Sequence, residues 1–158
     1  MDTSRRSLEN FQIVTACNQK YLDDGRLRNL VGSVHLWEPD VLRIVFYDIG
    51  LSEEGRKEVE SWRGVEVREV PQKVRIGDNR EEKVVPGDAK DATKYAFKPV
   101  VIWDALQRNK EGAVLWIDAG VELRRPIDGI REVMAEKGHF LIEHKYLFPK
   151  QQVRASEE

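Results

Sequence analysis

With 158 residues, of which 41% are hydrophobic, the chain is long enough to form one domain with a core of its own. Its 26 basic and 28 acidic residues give a formal net charge of -2, so the charge favours neither nucleic acid nor an anionic membrane as a partner. The single cysteine, Cys17, excludes an internal disulfide and a zinc site built from several cysteines.

The N-terminal third predicts two strands with a helix between them. Residues 11–17 (FQIVTAC) and 41–47 (VLRIVFY) are almost continuously apolar, which is typical of strands buried on both faces. Residues 27–37 fit a helix that contains a glycine.

The middle of the chain begins with a strong helix signal. Residues 52–62 open on a serine that can cap a helix, and two glutamates follow where the helix dipole favours negative charge. The alternating run 65–70 (VEVREV) predicts a half-buried or edge strand. Residues 71–94 are long and polar, which is typical of a functional loop or of disorder, with an edge strand at 82–85 as an option.

The remaining segments predict two helices and two strands. Residues 99–109 open on a proline, which suits the first position of a helix, and 127–138 predict a weaker helix. Residues 113–117 predict a buried strand and 139–144 a fifth strand. This alternation predicts an α/β fold with a mostly parallel, Rossmann-like sheet and helices on both faces.

Residues that follow the buried strands are candidates for a ligand site, because ligands bind outside the carboxyl ends of the strands in an open parallel sheet. Here these residues are Thr15, Ala16 and Cys17, then Asp48, then Asp118. A carboxylate at this edge can accept hydrogen bonds from a ribose or a base, or hold a divalent cation. A role as a turn former or as the cap of the next segment stays open for Asp48, which Ile49 and Gly50 follow, and also for Asp118.

Two more residues near the strand ends are candidates for ligand contact. Lys98 lies where a helix begins, so its cation and the helix N–H groups together suit a phosphate, with a solvated surface lysine as the alternative. Gly120 permits close approach of a ligand to the backbone. A carboxylate beside an apolar core is costly unless it is hydrated, hydrogen-bonded or bound to a cation, so we expect Asp118 to hold ligand or metal.

The order of the segments IVTACNQKYL, VFYDIGLSEE, VEVREV, YAFKPVVIWDAL and AVLWIDAGVEL resembles the nucleotide-diphospho-sugar transferase superfamily, the GT-A glycosyltransferases. The similarity runs from about residue 11 to residue 142. It implies a GT-A type of fold and the transfer of a sugar from a nucleoside diphosphate donor to an acceptor hydroxyl. The expected donor is a UDP-sugar. The resemblance also implies Mn²⁺ or Mg²⁺ as the cofactor.

The resemblance implies roles for individual residues as well. The end of the first strand would hold the nucleobase, at Thr15, Ala16 and Cys17. Asp48 would be the acid after the second strand, and Lys98 the basic residue near the diphosphate.

The Asp-x-Asp metal motif of that family matches Asp118 to Gly120, and it lacks its second acid here. Asp118 remains as the metal ligand, and Glu122 could supply a second carboxylate if the strand continues with a period of two. His144 could complete the metal shell and Glu143 could act as a general base, with ordinary surface roles as the alternatives.

Two functions stay open at this point. One is a glycosyltransferase-like domain spanning residues 1–158, with its acceptor-binding half short or missing. The other is a truncated or inactive relative that binds a nucleotide or a protein partner. The chain contains no apolar stretch of membrane-spanning length, so as given it is expected to be soluble. We expect the Golgi or secretory pathway if it is part of an anchored enzyme, and the cytoplasm otherwise.

Overall fold

The computed structural model describes residues 10–40, 43–76, 81–91, 93–110 and 112–141. Within them the protein has an α/β fold with six strands. The strands are β1 Gln12–Cys17, β2 Ile44–Asp48, β3 Val65–Glu69, β4 Lys73–Ile76, β5 Glu81–Val84 and β6 Val114–Trp116.

Five α-helices accompany these strands in the described ranges, together with a short 3₁₀ helix at Gly87–Lys90. The α-helices are α1 Gln19–Asp23, α2 Arg26–Trp37, α3 Glu53–Glu60, α4 Phe97–Arg108 and α5 Asp128–Lys137. Among the described residues, none of these helices combines the length and the apolar character needed to cross a membrane.

The main sheet has four parallel strands in the order β3-β2-β1-β6. From β1 the chain moves outward through β2 to β3, and then returns to place β6 on the opposite side of β1. The strand order therefore reverses between β1 and β6. In open α/β sheets a reversal of this kind creates a crevice at the carboxyl ends of the two strands, where ligands bind.

Both faces of the sheet are covered by helices, as the sequence predicts. On one face, residues such as Ile13 and Phe46 pack against α1, α2, α3 and α5. On the other face, Val14 and Val45 pack against α4, whose buried side chains recur every four residues. All residues of β1 and β2 are buried, which confirms the prediction from their continuous apolar runs.

Two of the local predictions are confirmed. The hydroxyl of Ser52 accepts a hydrogen bond from the N–H of Gly55 at 3.0 Å, so it caps α3. The strand β3 lies at the edge of the sheet and is partly exposed, as its alternating sequence indicates.

The start of α4 corrects one prediction. The helix begins at Phe97 and not at Pro99, because the N–H of Lys98 already donates to the carbonyl of Tyr95 at 3.1 Å. Pro99 is tolerated at the third position because the N–H that it lacks would have no partner within the first turn. The earlier start places Lys98 inside the first turn of the helix.

The polar segment 71–94 is not a plain loop. Its strands β4 and β5 pair antiparallel in a separate two-stranded sheet, so the optional strand is present. The indole N–H of Trp103 on α4 donates to the carbonyl of Arg75 at 2.6 Å and holds this hairpin against the helix. Of the strand predicted at 139–144, residues 139–141 form no strand and 142–144 lie outside the described residues.

The segment between β6 and α5 has no regular structure, yet it is anchored to α2. The hydroxyl of Ser33 accepts a hydrogen bond from the N–H of Leu123 at 2.9 Å. The buried carboxylate of Glu38 accepts one from the N–H of Ile127 at 2.7 Å and also pairs with Arg131. These contacts hold the segment that follows β6 against α2.

Candidate functional site

Two of the residues predicted from the sequence, Lys98 and Asp118, meet at the carboxyl-end edge of the sheet, beside the reversal of strand order. The Lys98 ammonium lies 2.8 Å from Oδ1 and 3.0 Å from Oδ2 of Asp118. The indole N–H of Trp116 donates to the same Oδ1 at 2.9 Å. The Lys98 side chain is 30% exposed and that of Asp118 is 53% exposed, so a ligand from solvent can reach both.

Aromatic packing holds this pair in place. The ring of Phe97 lies 6.3 Å from that of Trp116, which fixes the first turn of α4 against the end of β6. The Lys98 ammonium lies 5.9 Å from the Trp116 ring centre and 5.0 Å from that of Tyr95, within the range of cation–π attraction. The cation is therefore oriented by a carboxylate and two aromatic rings.

Tyr95 is a residue that the sequence did not indicate. Its backbone has φ of +55°, and it is the one non-glycine residue with a positive φ in the described parts of the chain. A left-handed conformation at a bulky residue costs about 1–2 kcal/mol. Its side chain is nevertheless 60% exposed, so core packing does not explain the strain. Strain of this kind is typical of functional sites, and no signal in the sequence marks it.

Asp118 is the first residue of a β-turn, residues 118–121, whose side chains lie on both faces of the sheet. The N–H of Val121 donates to the carbonyl of Asp118 at 2.9 Å and closes the turn. A Cβ atom added at Gly120 would lie 3.6 Å from the ring of Tyr21 and 4.0 Å from Cδ of Arg26. Gly120 thus lies beside α1 and α2, whereas the carboxylate of Asp118 points to Lys98 on α4.

Arg26 is a second cation at this edge, and the sequence did not indicate it. Its guanidinium stacks on the ring of Tyr21 at 4.8 Å from the ring centre. It also lies 3.7 Å from the carboxylate of Asp24, with both side chains more than one-third exposed. Exposed pairs of this kind are worth about 0–1 kcal/mol, so a phosphate could replace Asp24 at small cost.

The end of β1 is more enclosed than the sequence suggested. Thr15, Ala16 and Cys17 are all buried, so their side chains are not presented to solvent at this edge. The Thr15 hydroxyl and the Asn18 Oδ1 are buried, and no hydrogen bond to them comes from the described residues. Burial, with a contribution from the charge of Asp48, raises the pKa of the Cys17 thiol to about 12.

Asp48 is held by its own loop. Its Oδ1 accepts hydrogen bonds from the N–H groups of Gly50 at 2.8 Å and Leu51 at 2.7 Å. Its Oδ2 lies 3.5 Å from the guanidinium of Arg56 on α3. These bonds support the turn-forming role that the sequence left open, and they draw Asp48 away from Lys98 on the other face.

The described residues do not provide a good cage for Mn²⁺ or Mg²⁺. Both oxygens of Asp118 are engaged by Lys98 and Trp116, and Gly120 has no side chain to offer. Glu122 is exposed and its strand already ends at Trp116, so a period of two does not place it beside Asp118. No group of three metal-binding side chains occurs in the part of the chain that the structure describes. His144 and Glu143 lie outside the described residues.

A concave region lies beside the edge strand β3. This groove has a volume of about 560 Å³, and five charged side chains contribute to its lining: Glu66, Arg68, Glu69, Lys90 and Arg108. Its cations already pair with carboxylates, for example Lys90 with Glu69 at 3.3 Å and Arg68 with Glu66 at 2.6 Å. Lys98 and Arg26 are paired in the same way, so the ion pairs do not separate the two sites; the groove is disfavoured because it lies two strands away from the reversal of strand order.

Comparisons with known proteins leave the family open. No protein-family model matches the chain, and searches of curated protein sequences and of solved structures find no significant match. The resemblance to the GT-A glycosyltransferases therefore stays a prediction from the sequence segments.

Proposed function

We propose that this chain is a GT-A-type domain that binds a nucleoside diphosphate sugar and transfers the sugar to an acceptor hydroxyl. Among such donors, UDP-sugars are the preferred class. The observation that carries the proposal is the position of Lys98 and Asp118. They meet where the strand order reverses between β1 and β6, which is the place where open α/β sheets bind ligands.

The diphosphate is the part of the ligand that this site suits best. Lys98 presents a partly exposed cation in the first turn of α4, where the positive end of the helix dipole adds to its attraction for an anion. Asp118 pairs with the ammonium and, as an anion, would compete with the diphosphate for it. The position of Lys98 is the one that the family resemblance implies for the basic residue near the diphosphate.

The base and the ribose would lie along the end of β1. Asn18 offers a buried amide oxygen that can accept a hydrogen bond from a base. Tyr95 offers an exposed ring on which a base or ribose can lie. Because the side chains of Thr15, Ala16 and Cys17 are buried, they would shape the floor of the site.

In the transfer reaction, the acceptor oxygen forms a bond to the anomeric carbon while the bond from that carbon to the diphosphate oxygen breaks. The nucleoside diphosphate leaves with the electron pair, and the proton of the acceptor hydroxyl passes to the departing diphosphate or to water. Negative charge develops on the leaving oxygen, and a fixed cation such as Lys98 stabilises it more in the transition state than in the bound donor.

A binding module without turnover is the second candidate. It is favoured by the state of Asp118, whose two oxygens both accept hydrogen bonds and which is therefore not free to act as a base. This candidate predicts donor binding without release of nucleoside diphosphate.

Calorimetry with UDP, GDP and uridine tests the binding step. UDP should bind, and Lys98→Ala should weaken UDP more than uridine, because only UDP presents the diphosphate charge. An absence of heat from UDP and GDP at millimolar concentration would remove the proposal. Release of UDP from UDP-sugars, followed with and without a mixture of glycan acceptors, then separates the transferase from the binding module.

A further inference from the structure

We infer that the diphosphate is neutralised by two side-chain cations, Lys98 and Arg26, and that binding needs no divalent metal ion. This inference rests on the proposed function, since it concerns how the same site holds a nucleoside diphosphate. It differs from the metal-dependent binding that the sequence resemblance implies.

The first support is the state of the carboxylate that would bind the metal. The Lys98 ammonium lies within 3.0 Å of both oxygens of Asp118, in the position where a metal ion would have to bind. A divalent cation there would have to displace or repel Lys98, and it would gain a single carboxylate from the protein. Hard cations of this kind require about six oxygen ligands, so the exchange is unfavourable.

The second support is the chemistry that replaces the missing acid. Beside Gly120, where the metal motif has a carboxylate, the chain places the Arg26 side chain on the ring of Tyr21. The acid of the motif is thus absent, and the aliphatic Cδ of a cationic side chain, Arg26, lies beside the position that the acid would occupy. A guanidinium presents its N–H donors in a planar fork that matches phosphate oxygens, and stacking on an aromatic ring holds that fork in place.

The third support is the spacing of the two cations along the turn. Lys98 contacts the first residue of the turn, Asp118, and Arg26 lies beside the third, Gly120. Two consecutive Cα spacings of 3.8 Å limit the distance between the Cα atoms of these turn residues to about 7.6 Å. The turn is therefore short enough for a ligand of diphosphate size to span it, with Lys98 beside its first residue and Arg26 beside its third.

The test uses calorimetry of the full chain with UDP and with uridine, first in EDTA and then with excess Mn²⁺. The variants are Arg26→Gln and Lys98→Gln, and melting curves verify that each is folded. Lys57→Gln is the matched control, because Lys57 is also an exposed lysine paired with a carboxylate, at 2.7 Å from Glu53 on α3.

We expect the wild type to bind UDP in EDTA, with Mn²⁺ changing the affinity by less than about threefold. Each of the two site variants should lower the affinity for UDP by about tenfold or more, which is the size expected for a lost hydrogen bond to a charged group. The affinity for uridine should stay unchanged. Lys57→Gln should bind UDP like the wild type.

Three results would overturn the inference. UDP binding that requires Mn²⁺ would contradict it and leave the proposed function intact. Normal UDP binding by Arg26→Gln or by Lys98→Gln would remove that residue, and with it the two-cation arrangement. An absence of UDP binding in every condition would remove both the inference and the proposed function.

Discussion

Gly120→Asp restores the second acid of the Asp-x-Asp motif and so separates the two accounts of how a diphosphate is bound. The substitution should be accepted sterically, because a Cβ atom at this position meets its nearest neighbours at 3.6 and 4.0 Å, which are ordinary contact distances. Gly120 is also absent from the glycines with a positive φ, so a side chain introduces no backbone strain. The new carboxylate would lie beside Arg26 and compete with the diphosphate for it.

The size of the effect follows from the charge. A carboxylate about 6 Å from the ligand repels each unit of phosphate charge by roughly 0.7 to 3 kcal/mol, for effective dielectric constants between 80 and 20. The affinity for UDP in EDTA should therefore fall by about three- to hundredfold. Because the variant now offers two carboxylates, Mn²⁺ should recover part of this loss.

Gly120→Asn is the control, since it adds a side chain of the same shape without the charge. Calorimetry in EDTA should give UDP affinities for Gly120→Asn close to those of the wild type. If Gly120→Asp binds UDP more tightly than the wild type in EDTA, the two-cation reasoning is wrong. If Gly120→Asn and Gly120→Asp are weakened equally, the effect is steric and the charge argument fails.

Three further predictions concern single residues. Asp118→Asn should change the melting temperature by less than about 3 °C, because an exposed ion pair contributes about 0–1 kcal/mol to stability. Calorimetry in EDTA should show tighter UDP binding, because Lys98 is released from its ion pair. A drop in melting temperature of several degrees would make Asp118 a structural residue. Tyr95→Gly should leave the melting temperature unchanged or slightly raised, because glycine adopts a positive φ without strain. It should weaken the binding of UDP by roughly 1–3 kcal/mol, the contribution of a base stacked on an aromatic ring. An unchanged affinity for UDP would exclude stacking. Since the pKa of Cys17 is raised from 9.0 to about 12, the thiol should stay unreactive to disulfide reagents at pH 8 until the protein unfolds. Its contribution to stability should be present below pH 9 and lost as the pH rises toward 12. Rapid labelling of the folded protein would contradict the burial of the thiol.

Some elements of the fold could be predicted from the sequence because the signal is local. The strands β1 and β2 are buried on both faces and therefore have continuous apolar sequences. The cap of α3 depends on Ser52 and a residue three positions later. The start of α4 could not be predicted, because the helix extends before Pro99 through a hydrogen bond from the N–H of Lys98 to the carbonyl of Tyr95. Tyr95 has a positive φ, which sequence propensities disfavour for a tyrosine.

The candidate site could be predicted in part. Lys98 and Asp118 were found because strand ends and helix starts of a parallel sheet meet at one edge. Asp48 follows the same rule, and only the hydrogen bonds to Gly50 and Leu51 reveal its structural role. Arg26 approaches Gly120 across a long stretch of sequence, and no local pattern carries that contact.

Binding of a nucleoside diphosphate at the reversal of strand order between β1 and β6 underlies both the proposed function and the two-cation inference. Its most direct test is a titration of isotope-labelled protein with UDP, followed by the shifts of assigned backbone amide signals in NMR spectra. The largest shifts should fall in residues 95–98 and 117–121, with smaller ones at Asn18 and Arg26. Shifts confined to the groove beside β3, at Arg68, Lys90 and their neighbours, would contradict it, and so would a spectrum that UDP leaves unchanged.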